Sequence, residues 1–322
     1  MANAGKDMAE PSKAGTRKPR IALIGLGLIG SSLGHAFHKY DLTSAVVGYA
    51  RTRETRETAL SLGCVDEIAE SAAAAVVGAD VVFFNVPLRA IAGLAVEIMP
   101  ALKKGAILTD VGSVKGCIFR DLEPILRDDI SLVPGHPIAG TEYSGPQAGF
   151  AELFEGRWCI LTPKPETNLR AVEVVATLWR AIGSDVEFME PAHHDLVLAI
   201  TSHLPHLIAY NIVGTAADLE TDTRSEVIKY SASGFRDFTR IAASDPVMWR
   251  DIFLSNKDAV LEMLGRFTED LTALQKAIRH EDGDSLQNMF TRTRAIRKSV
   301  IDAGQDVATA NFGRDTNASD QD

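Results

Sequence analysis

Apolar residues form two kinds of pattern along the chain, and the change between them falls near residue 190. Before that point, short apolar runs alternate with segments of helical period, at about residues 29–40, 52–62 and 88–102. Such alternation predicts strands joined by helices in a parallel, doubly wound α/β sheet. The predicted strands lie at residues 21–24, 45–49, 80–84, 106–110, 130–133, 158–161 and 186–189.

After residue 190 the chain carries no clear strand run and is dominated by helical periods. Residues 193–217 predict one long helix, in which Pro205 is expected to produce a kink because it clashes with the Thr201 carbonyl and removes a hydrogen bond. Farther on, apolar residues recur at spacings of three and four from Val260 to Ile278. A narrow seam of this kind packs against another helix, within one chain or between two subunits.

A glycine-rich turn follows the first apolar run. Gly25, Gly27 and Gly30 give the pattern G-x-G-x-x-G between a predicted strand and a predicted helix. The first glycine permits a tight turn, the second permits close approach of a pyrophosphate, and the third lets helix and strand pack. The N–H groups that begin the helix, including those of Leu28 and Ile29, are free to bind phosphate. The pattern therefore indicates dinucleotide binding, with a purely structural glycine turn as the alternative.

These patterns predict two domains between two tails. A Rossmann-type dinucleotide-binding domain is expected at residues 20–189, and an all-helical domain at residues 190–303. Residues 1–19 and 304–322 are polar and without period, which predicts disordered tails.

Composition narrows the class of protein. A chain of 322 residues, 46% apolar and 24% charged, is typical of a two-domain globular protein. Three cysteines without a C-x-x-C spacing predict neither a disulfide framework nor a zinc site. No signal segment precedes the first strand, so we expect a cytoplasmic protein. A net charge of −10 argues against nucleic-acid or membrane partners, and an anionic substrate would need a locally basic pocket.

Three loops follow the predicted strands, and all three are expected near the nicotinamide because ligands of an open α/β sheet bind outside the carboxyl ends of its strands. They span residues 85–87, 110–115 and 134–142. Pro87 belongs to the first loop and Ser113 to the second, where Gly112 is expected to permit an unusual backbone conformation. Ser113 is either a hydrogen-bonding group of the site or the N-cap of a helix that begins at Val114.

His136 lies between Gly135 and Pro137, which excludes a regular helix and disfavours the middle of a strand. We therefore expect a loop histidine. A pKa near neutrality suits a general base that removes a hydroxyl proton while hydride leaves the same carbon. The alternative is a histidine that only holds the loop in place.

Two further groups point to substrate binding. His203 and His206 lie one turn apart on the predicted long helix, and His206 shares a face with Asp195. The chain lacks a matching H-E-x-x-H motif, so substrate binding is favoured over a metal site, with a structural interior histidine as the alternative. Arg236 and Arg240 carry planar guanidinium groups that suit carboxylates, or they pair with nearby aspartates. The tandem His193-His194 is expected only to begin the helix.

Five motifs occur in order along the chain, at residues 25–30, 110–115, 135–142, 202–206 and 237–250. Together they resemble the prephenate/arogenate (cyclohexadienyl) dehydrogenases of tyrosine biosynthesis, over about residues 20–300. The resemblance implies oxidative decarboxylation of prephenate or arogenate with hydride transfer to NAD(P)+, and a homodimer formed by the helical domain.

The resemblance also implies individual roles. It implies that His136 bonds to the ring hydroxyl, that Ser113 supports His136 beside the nicotinamide, and that Arg240 holds a substrate carboxylate. The residues that it implies around the substrate pocket are His203, His206, Thr141, Glu142, Asp195, Arg236 and Trp249.

The choice between NAD and NADP depends on the segment after the second strand. An acidic residue about twenty positions after the glycine pattern normally binds the ribose of NAD. Here Ala50 and Arg51 follow the strand, and no carboxylate occurs before Glu54. Arg51 or Arg53 could bind the 2′-phosphate of NADP or stack on adenine, so we expect NADP to be accepted. The expected cofactor-binding residues are Gly25, Gly27, Leu28, Ile29, Gly30, Ala50, Arg51 and Pro87.

Two other functions compete with this interpretation. A β-hydroxyacid-type dehydrogenase is expected to carry a lysine on the interdomain helix, but no lysine occurs between Pro191 and Val227. A non-catalytic dinucleotide-sensing protein would not need His136, Ser113 and Arg240 together. An absorbance assay at 340 nm separates these functions.

Overall fold

The computed structural model describes residues 17–141, 143–218, 229 and 233–302. Most of the two predicted tails lies outside the described residues, and so does Glu142.

A six-stranded parallel sheet forms the centre of the N-terminal part. Its strand order is β3-β2-β1-β4-β5-β6, which is the order of a Rossmann-type fold. The doubly wound architecture predicted from the sequence is therefore confirmed. The strands are β1 (Arg20–Ile24), β2 (Ala45–Tyr49), β3 (Glu67–Ile68), β4 (Val81–Phe84), β5 (Ile107–Asp110) and β6 (Ser131–Leu132).

Helices cover both faces of this sheet, and side chains alternate between them along each strand. On β1, Ile21 and Leu23 pack in the core that contains Trp179, whereas Ala22 and Ile24 pack in the opposite core. That second core also contains Trp249, so a helix from the C-terminal part is packed against the sheet. The helices are α1 (Leu28–Lys39), α2 (Arg53–Ser61), α3 (Ala72–Ala75), α4 (Leu88–Ile98), α5 (Gly116–Leu122) and α6 (Leu169–Ala181).

A second, three-stranded sheet corrects part of the prediction. It contains β7 (Gly135–Pro137), β8 (Trp158–Leu161) and β9 (Asp185–Phe188), in that order. β7 is antiparallel to β8, and β8 is parallel to β9. The strands predicted at residues 158–161 and 186–189 exist, but they do not belong to the parallel sheet. Pro134 has no N–H to donate, so the pairing of the short edge strand β6 ends there. The chain then continues into the second sheet.

The long predicted helix is divided by a π-helical segment. α7 (Pro191–Leu198) begins two residues earlier than predicted and continues through the π segment (Ala199–His203) into α8 (Leu204–Ala217). The irregular backbone thus lies in the turn before Pro205, where a proline ring interferes with the normal hydrogen bonds. By length and composition, residues Pro191–Ala217 could also cross a membrane, with a mean hydropathy of 1.5. Core helices of globular proteins can have the same length and composition.

The remaining described helices complete the C-terminal part. The chain forms two compact units, Met1–Leu261 and Glu262–Asp322, and the site described below lies in the first. The predicted domain boundary at residue 190 remains a prediction. The helices are α9 (Ser233–Thr239), a 3-10 turn at Arg240–Ala243, α10 (Pro246–Ser255), α11 (Lys257–Arg279) and α12 (Gly283–Asp302).

Candidate active site

The glycine turn between β1 and α1 leaves room for a ligand. Gly25 has a φ of +108°, and a Cβ there would lie 2.3 Å from the Asn85 carbonyl oxygen. A Cβ at Gly30 would lie 2.0 Å from the Gly25 carbonyl oxygen, so helix and strand pack closely at that point. A Cβ at Gly27 would meet nothing within 4 Å. The open space at Gly27 faces the N-terminus of α1, which carries no side-chain cap, and this arrangement suits a pyrophosphate.

The segment after β2 carries three arginines. Arg51 is exposed, whereas Arg53 forms an ion pair with Glu57 at 2.7 Å. The buried Arg56 donates to the Ala50 carbonyl oxygen at 2.9 Å and thereby fixes the end of β2. Among the described residues, Arg51 is therefore the arginine of this segment that forms no ion pair, since Arg53 and Arg56 pair with Glu57 and Glu70.

The loop after β5 differs from the prediction in two details. Helix α5 begins at Gly116 with Lys115 at the N-cap position, so the interpretation of Ser113 as the N-cap is wrong. Gly112 lies outside the positive-φ region, and space is what requires a glycine there, because a Cβ would lie 2.4 Å from Leu88 Cδ2. Ser113 itself is half-buried in this loop, and Pro87 is the N-cap residue of the neighbouring α4.

His136 lies in the middle of β7, so the prediction of a loop position is wrong. Pro137 is tolerated beside it because β7 is an edge strand. The His136 ring is buried, and its Nδ1 lies 2.9 Å from Nε2 of His194. Nδ1 of His194 lies 2.8 Å from the Asp195 carboxylate. Two residues of α7 therefore extend the histidine of β7 into a chain of three groups.

The direction of this chain follows from its carboxylate end. Asp195 also accepts hydrogen bonds from the backbone N–H groups of Lys115 at 2.7 Å and Gly116 at 2.8 Å. A carboxylate only accepts, so His194 carries its proton on Nδ1 and presents a lone pair at Nε2. His136 must then donate from Nδ1, which leaves a lone pair on its Nε2. The chain thus sets the tautomer in which His136 can act as a base.

Burial keeps the histidines of this chain uncharged. The pKa of His136 lies well below its ordinary value because the ring is desolvated. The positive charge of Lys115 acts in the same direction, as do the charges that His194 and His203 carry when protonated. Burial also lowers the pKa of His194, although the hydrogen bond to Asp195 opposes the shift. Neutral His136 is the form that accepts a proton.

A second pair of histidines, from the π segment and α8, lies beside this chain. Asn256 donates from Nδ2 to the Asp195 carbonyl oxygen at 2.8 Å and approaches His203 Nδ1 at 3.1 Å. His203 Nδ1 therefore accepts, its Nε2 carries the proton, and burial lowers its pKa to about 4. The Nε2 atom of His203 is buried without a partner among the described residues. It is a neutral donor available to a ligand.

Trp249 contacts both histidines of this second pair. The His206 ring stacks on Trp249, with ring centroids 3.6 Å apart, and His206 donates from Nδ1 to the Ser202 carbonyl oxygen at 2.8 Å. Burial lowers the pKa of His206, and the Arg240 guanidinium acts in the same direction. Arg240 itself is exposed, in the 3-10 turn before α10.

The structure brings His203, His206 and Trp249 into contact, whereas the contacts of two other predicted substrate residues are not with this group. Arg236 is exposed on α9, and Thr141 is exposed, its hydroxyl accepting from the Tyr143 N–H at 3.3 Å. Among the described residues, no group of three or more His, Cys, Asp or Glu side chains is arranged so that it could hold a metal ion.

Sequence reasoning missed His194, Lys115 and Asn256. His194 was expected only to begin a helix, because its partner His136 lies 58 residues earlier. The one local signal is the adjacent Asp195, since a histidine followed by a carboxylate on a buried helix needs a partner for both groups.

Family models match most of the chain. The model of the prephenate dehydrogenase nucleotide-binding domain matches residues 33–188, and that of the prephenate dehydrogenase dimerization domain matches residues 190–292. A cyclohexadienyl dehydrogenase from Zymomonas mobilis is 44% identical over 280 residues, which cover 87% of this chain and 95% of the relative. A prephenate dehydrogenase from Bacillus subtilis is 33% identical, over 88% of this chain and 76% of the relative.

Solved structures agree. Prephenate dehydrogenase from A. aeolicus, in complex with hydroxyphenyl propionate and NAD+, has a TM-score of 0.83 and 35% identity, over 89% of this chain and 99% of that chain. Synechocystis arogenate dehydrogenase has a TM-score of 0.76 and 26% identity, over 87% and 99% of the two chains. The resemblance found in the sequence is thereby confirmed: the chain belongs to the prephenate/arogenate dehydrogenase family of NAD-dependent oxidoreductases.

Proposed function

We propose that this chain oxidatively decarboxylates prephenate or arogenate, with His136 as the general base. The observation that carries the proposal is the series of hydrogen bonds from His136 through His194 to Asp195. It leaves Nε2 of the buried, neutral His136 unpaired. Family membership indicates the class of substrate, and the buried series of hydrogen bonds provides the general base that the reaction needs.

His136 has one task in this reaction. Its Nε2 accepts the proton of the ring hydroxyl, while the bound nicotinamide cofactor, NAD+ or NADP+, supplies the hydride acceptor for the same ring carbon. The electron pair of the bond to the departing carbon dioxide then passes through the ring to the oxygen, which takes the proton back from His136. Aromatisation makes this second step strongly downhill, so no separate acid is required.

The substrate residues are proposed to act by position and charge. Arg240 is the cation of the group formed with His206 and Trp249, and its guanidinium would bind the side-chain carboxylate. His203 would donate from Nε2 to a substrate oxygen. Ser113, at the half-buried turn before α5, is proposed to support His136 beside the nicotinamide. Arg236 and Thr141, which are exposed, are also proposed as substrate-binding residues.

Cofactor binding is proposed at the glycine turn, with Gly25, Gly27 and Gly30 forming the cradle and Leu28, Ile29, Ala50, Arg51 and Pro87 around it. We further propose that NADP is accepted, since Arg51 is exposed and Ala50 stands where an acidic residue would repel a 2′-phosphate. The ratio of kcat/KM for NAD and NADP tests this. Ala50→Asp should shift the ratio toward NAD, and a wild type that strictly requires NAD would refute the proposal.

We also infer a homodimer formed through the helical C-terminal part and a cytoplasmic location. The matched dimerization-domain model supports the dimer. The three free cysteines, all buried, fit a reducing compartment. Sedimentation analysis of the purified protein tests the oligomeric state.

The decisive experiment is an initial-rate assay at 340 nm with prephenate and with arogenate, each with NAD and NADP. Formation of reduced cofactor with either substrate supports the proposal, and comparison of the two kcat/KM values identifies the preferred side chain. Dinucleotide binding without turnover of either substrate would instead favour the sensing function.

A further inference from the structure

Lys115 is a fully buried cation that the mechanism above does not use. It lies at the end of the D-x-G-S-V-K motif, in the loop between β5 and α5, and its side chain is 0% exposed. Its Nζ donates to Asp110 Oδ2 at 2.5 Å and to the Gly135 carbonyl oxygen at 2.6 Å. Gly135 immediately precedes His136, so the ammonium group holds the backbone of the proposed base.

The backbone of Lys115 contacts the other end of the histidine chain. Its N–H donates to Asp195 Oδ1 at 2.7 Å, and Asp195 in turn accepts from His194. These contacts form a closed ring. The Lys115 ammonium binds the Gly135 carbonyl, the next residue His136 binds His194, His194 binds Asp195, and Asp195 binds the Lys115 N–H. Every link is buried, so no member can move without breaking a buried hydrogen bond.

We propose that Lys115 is a positioning residue for His136, which it holds through the Gly135 carbonyl on one side and through Asp195 on the other. The inference rests on the proposed role of His136 as the base. A purely stabilising role would not require a cation, because well-packed apolar residues often replace a buried ion pair without loss of stability.

The charge of Lys115 supports this interpretation. The titratable groups around His136 are His194 from α7, His203 from the π segment, Cys159 from β8 and Lys115, with Asp110 and Asp195 behind them. Burial raises the pKa of the Cys159 thiol and keeps it uncharged. The positive charge of Lys115 lowers the pKa of His136 and favours its neutral form.

The test replaces the ion pair as a unit. Lys115→Met with Asp110→Asn removes the cation without leaving a buried charge, and the amide oxygen introduced by Asp110→Asn can still accept from the Gly112 N–H. We expect dinucleotide affinity and KM to stay within about threefold while kcat falls about 10- to 100-fold, because a displaced base loses its alignment. The acidic limb of the kcat–pH profile should move upward by about half a unit or more.

A matched control exists at the opposite end of the same sheet. There Lys103 pairs with Asp80, whose other oxygen accepts from the Arg20 N–H at 2.7 Å. Lys103→Met with Asp80→Asn should leave kcat and its pH profile unchanged. This control separates the loss of a lysine–aspartate pair from the loss of this particular pair.

The outcomes decide between the two proposals. A wild-type enzyme inactive on both substrates would refute the proposed function. An active wild type, with the Lys115 double variant within threefold of its kcat, or with kcat lowered and the acidic limb unmoved, would overturn the positioning role alone. If the double variant does not fold, Lys115→Arg is measured. It keeps the charge in a larger group, so kcat should fall while the limb stays in place, and a wild-type kcat would overturn the proposal.

Discussion

The substitution Asp195→Asn tests the direction of the histidine chain most directly. Asp195 accepts three hydrogen bonds, from the backbone N–H groups of Lys115 and Gly116 and from His194 Nδ1. An asparagine amide can accept only through its oxygen. The Lys115 N–H and His194 Nδ1 share one carboxylate oxygen, Oδ1, and the Gly116 N–H uses the other, Oδ2, so the amide oxygen can keep only one of these places. When it keeps the Gly116 N–H, the NH2 group faces the Lys115 N–H and His194 Nδ1, and it forces the proton of His194 onto Nε2. His136 Nδ1 must then accept, and its Nε2 becomes protonated and unable to act as a base.

The size of the effect follows from the cost of restoring the active tautomer. Turning the amide over restores it, because the oxygen then accepts from His194 and Lys115, but the NH2 group now opposes the Gly116 N–H. Each orientation thus leaves one backbone N–H unpaired, at about 1–3 kcal/mol. The two orientations therefore differ by at most about 2 kcal/mol, and each 1.4 kcal/mol is a factor of ten, so kcat should fall by about twofold, for equal orientations, to about 30-fold. KM for the substrate should change little, because both carboxylate oxygens of Asp195 are taken up by Lys115, Gly116 and His194.

Initial rates at 340 nm across the pH range, with dinucleotide affinity measured separately, provide the assay. Asp251→Asn is the matched control, since Asp251 is a buried carboxylate on α10 that pairs with Arg250 at 2.7 Å outside the histidine chain. A folded Asp195→Asn enzyme with the kcat of wild type would show that the chain does not set the tautomer of His136.

Three further predictions concern single residues. His136→Asn should lower kcat by about two or more orders of magnitude with substrate affinity within a few fold, and an unchanged kcat in steady-state assays would exclude it as the base. Arg240→Gln should raise KM about 10- to 100-fold and lower kcat less than tenfold, since a charge-assisted hydrogen bond is lost in binding, and the opposite split would contradict the assignment. Because the folded-state pKa of His203 is about 4 against 6.5 unfolded, the unfolded state gains the proton first as the pH falls, and stability is lost between these values. Urea unfolding at pH 7.5 and 5 should show about 2 kcal/mol less pH dependence for His203→Gln than for wild type, and equal dependence would mean that His203 titrates normally.

Much of the parallel sheet was predictable because its signals are local. The glycine turn, the apolar run at Ala45–Tyr49 and the helix that ends at Lys39 each show their structure within a dozen residues, and the predicted bounds agree closely with the observed ones. The second sheet was not predictable in this way. Membership of a sheet depends on which distant strand offers its edge, and the partner of His136 across the sheet is Ile160.

The site shows the same division. The types of His136, His206 and Arg240 suggested base and anion-binding chemistry without any contact being known. The tautomer of His136 depends on His194, and the orientation of His203 depends on Asn256, 53 residues away. The spacing of residues within one helix does not reveal such partners, because they come from other helices and strands.

The π-helical segment, Ala199–His203, determines which side chains of the long helix share a site. In a continuous α-helix, each residue turns the chain by about 100°. The nine steps from His194 to His203 would add up to about 900°, so the two rings would lie on opposite faces. A π-turn takes up one extra residue, or about 100°, which leaves the two rings only about 80° apart. The π-turn therefore keeps His203 and His206 in phase with His194, the partner of the proposed base. Deleting one residue from this segment would let the helix close regularly and preserve that phase, whereas a variant that kept all five residues in regular α-helical geometry would turn His203 and His206 away from His194.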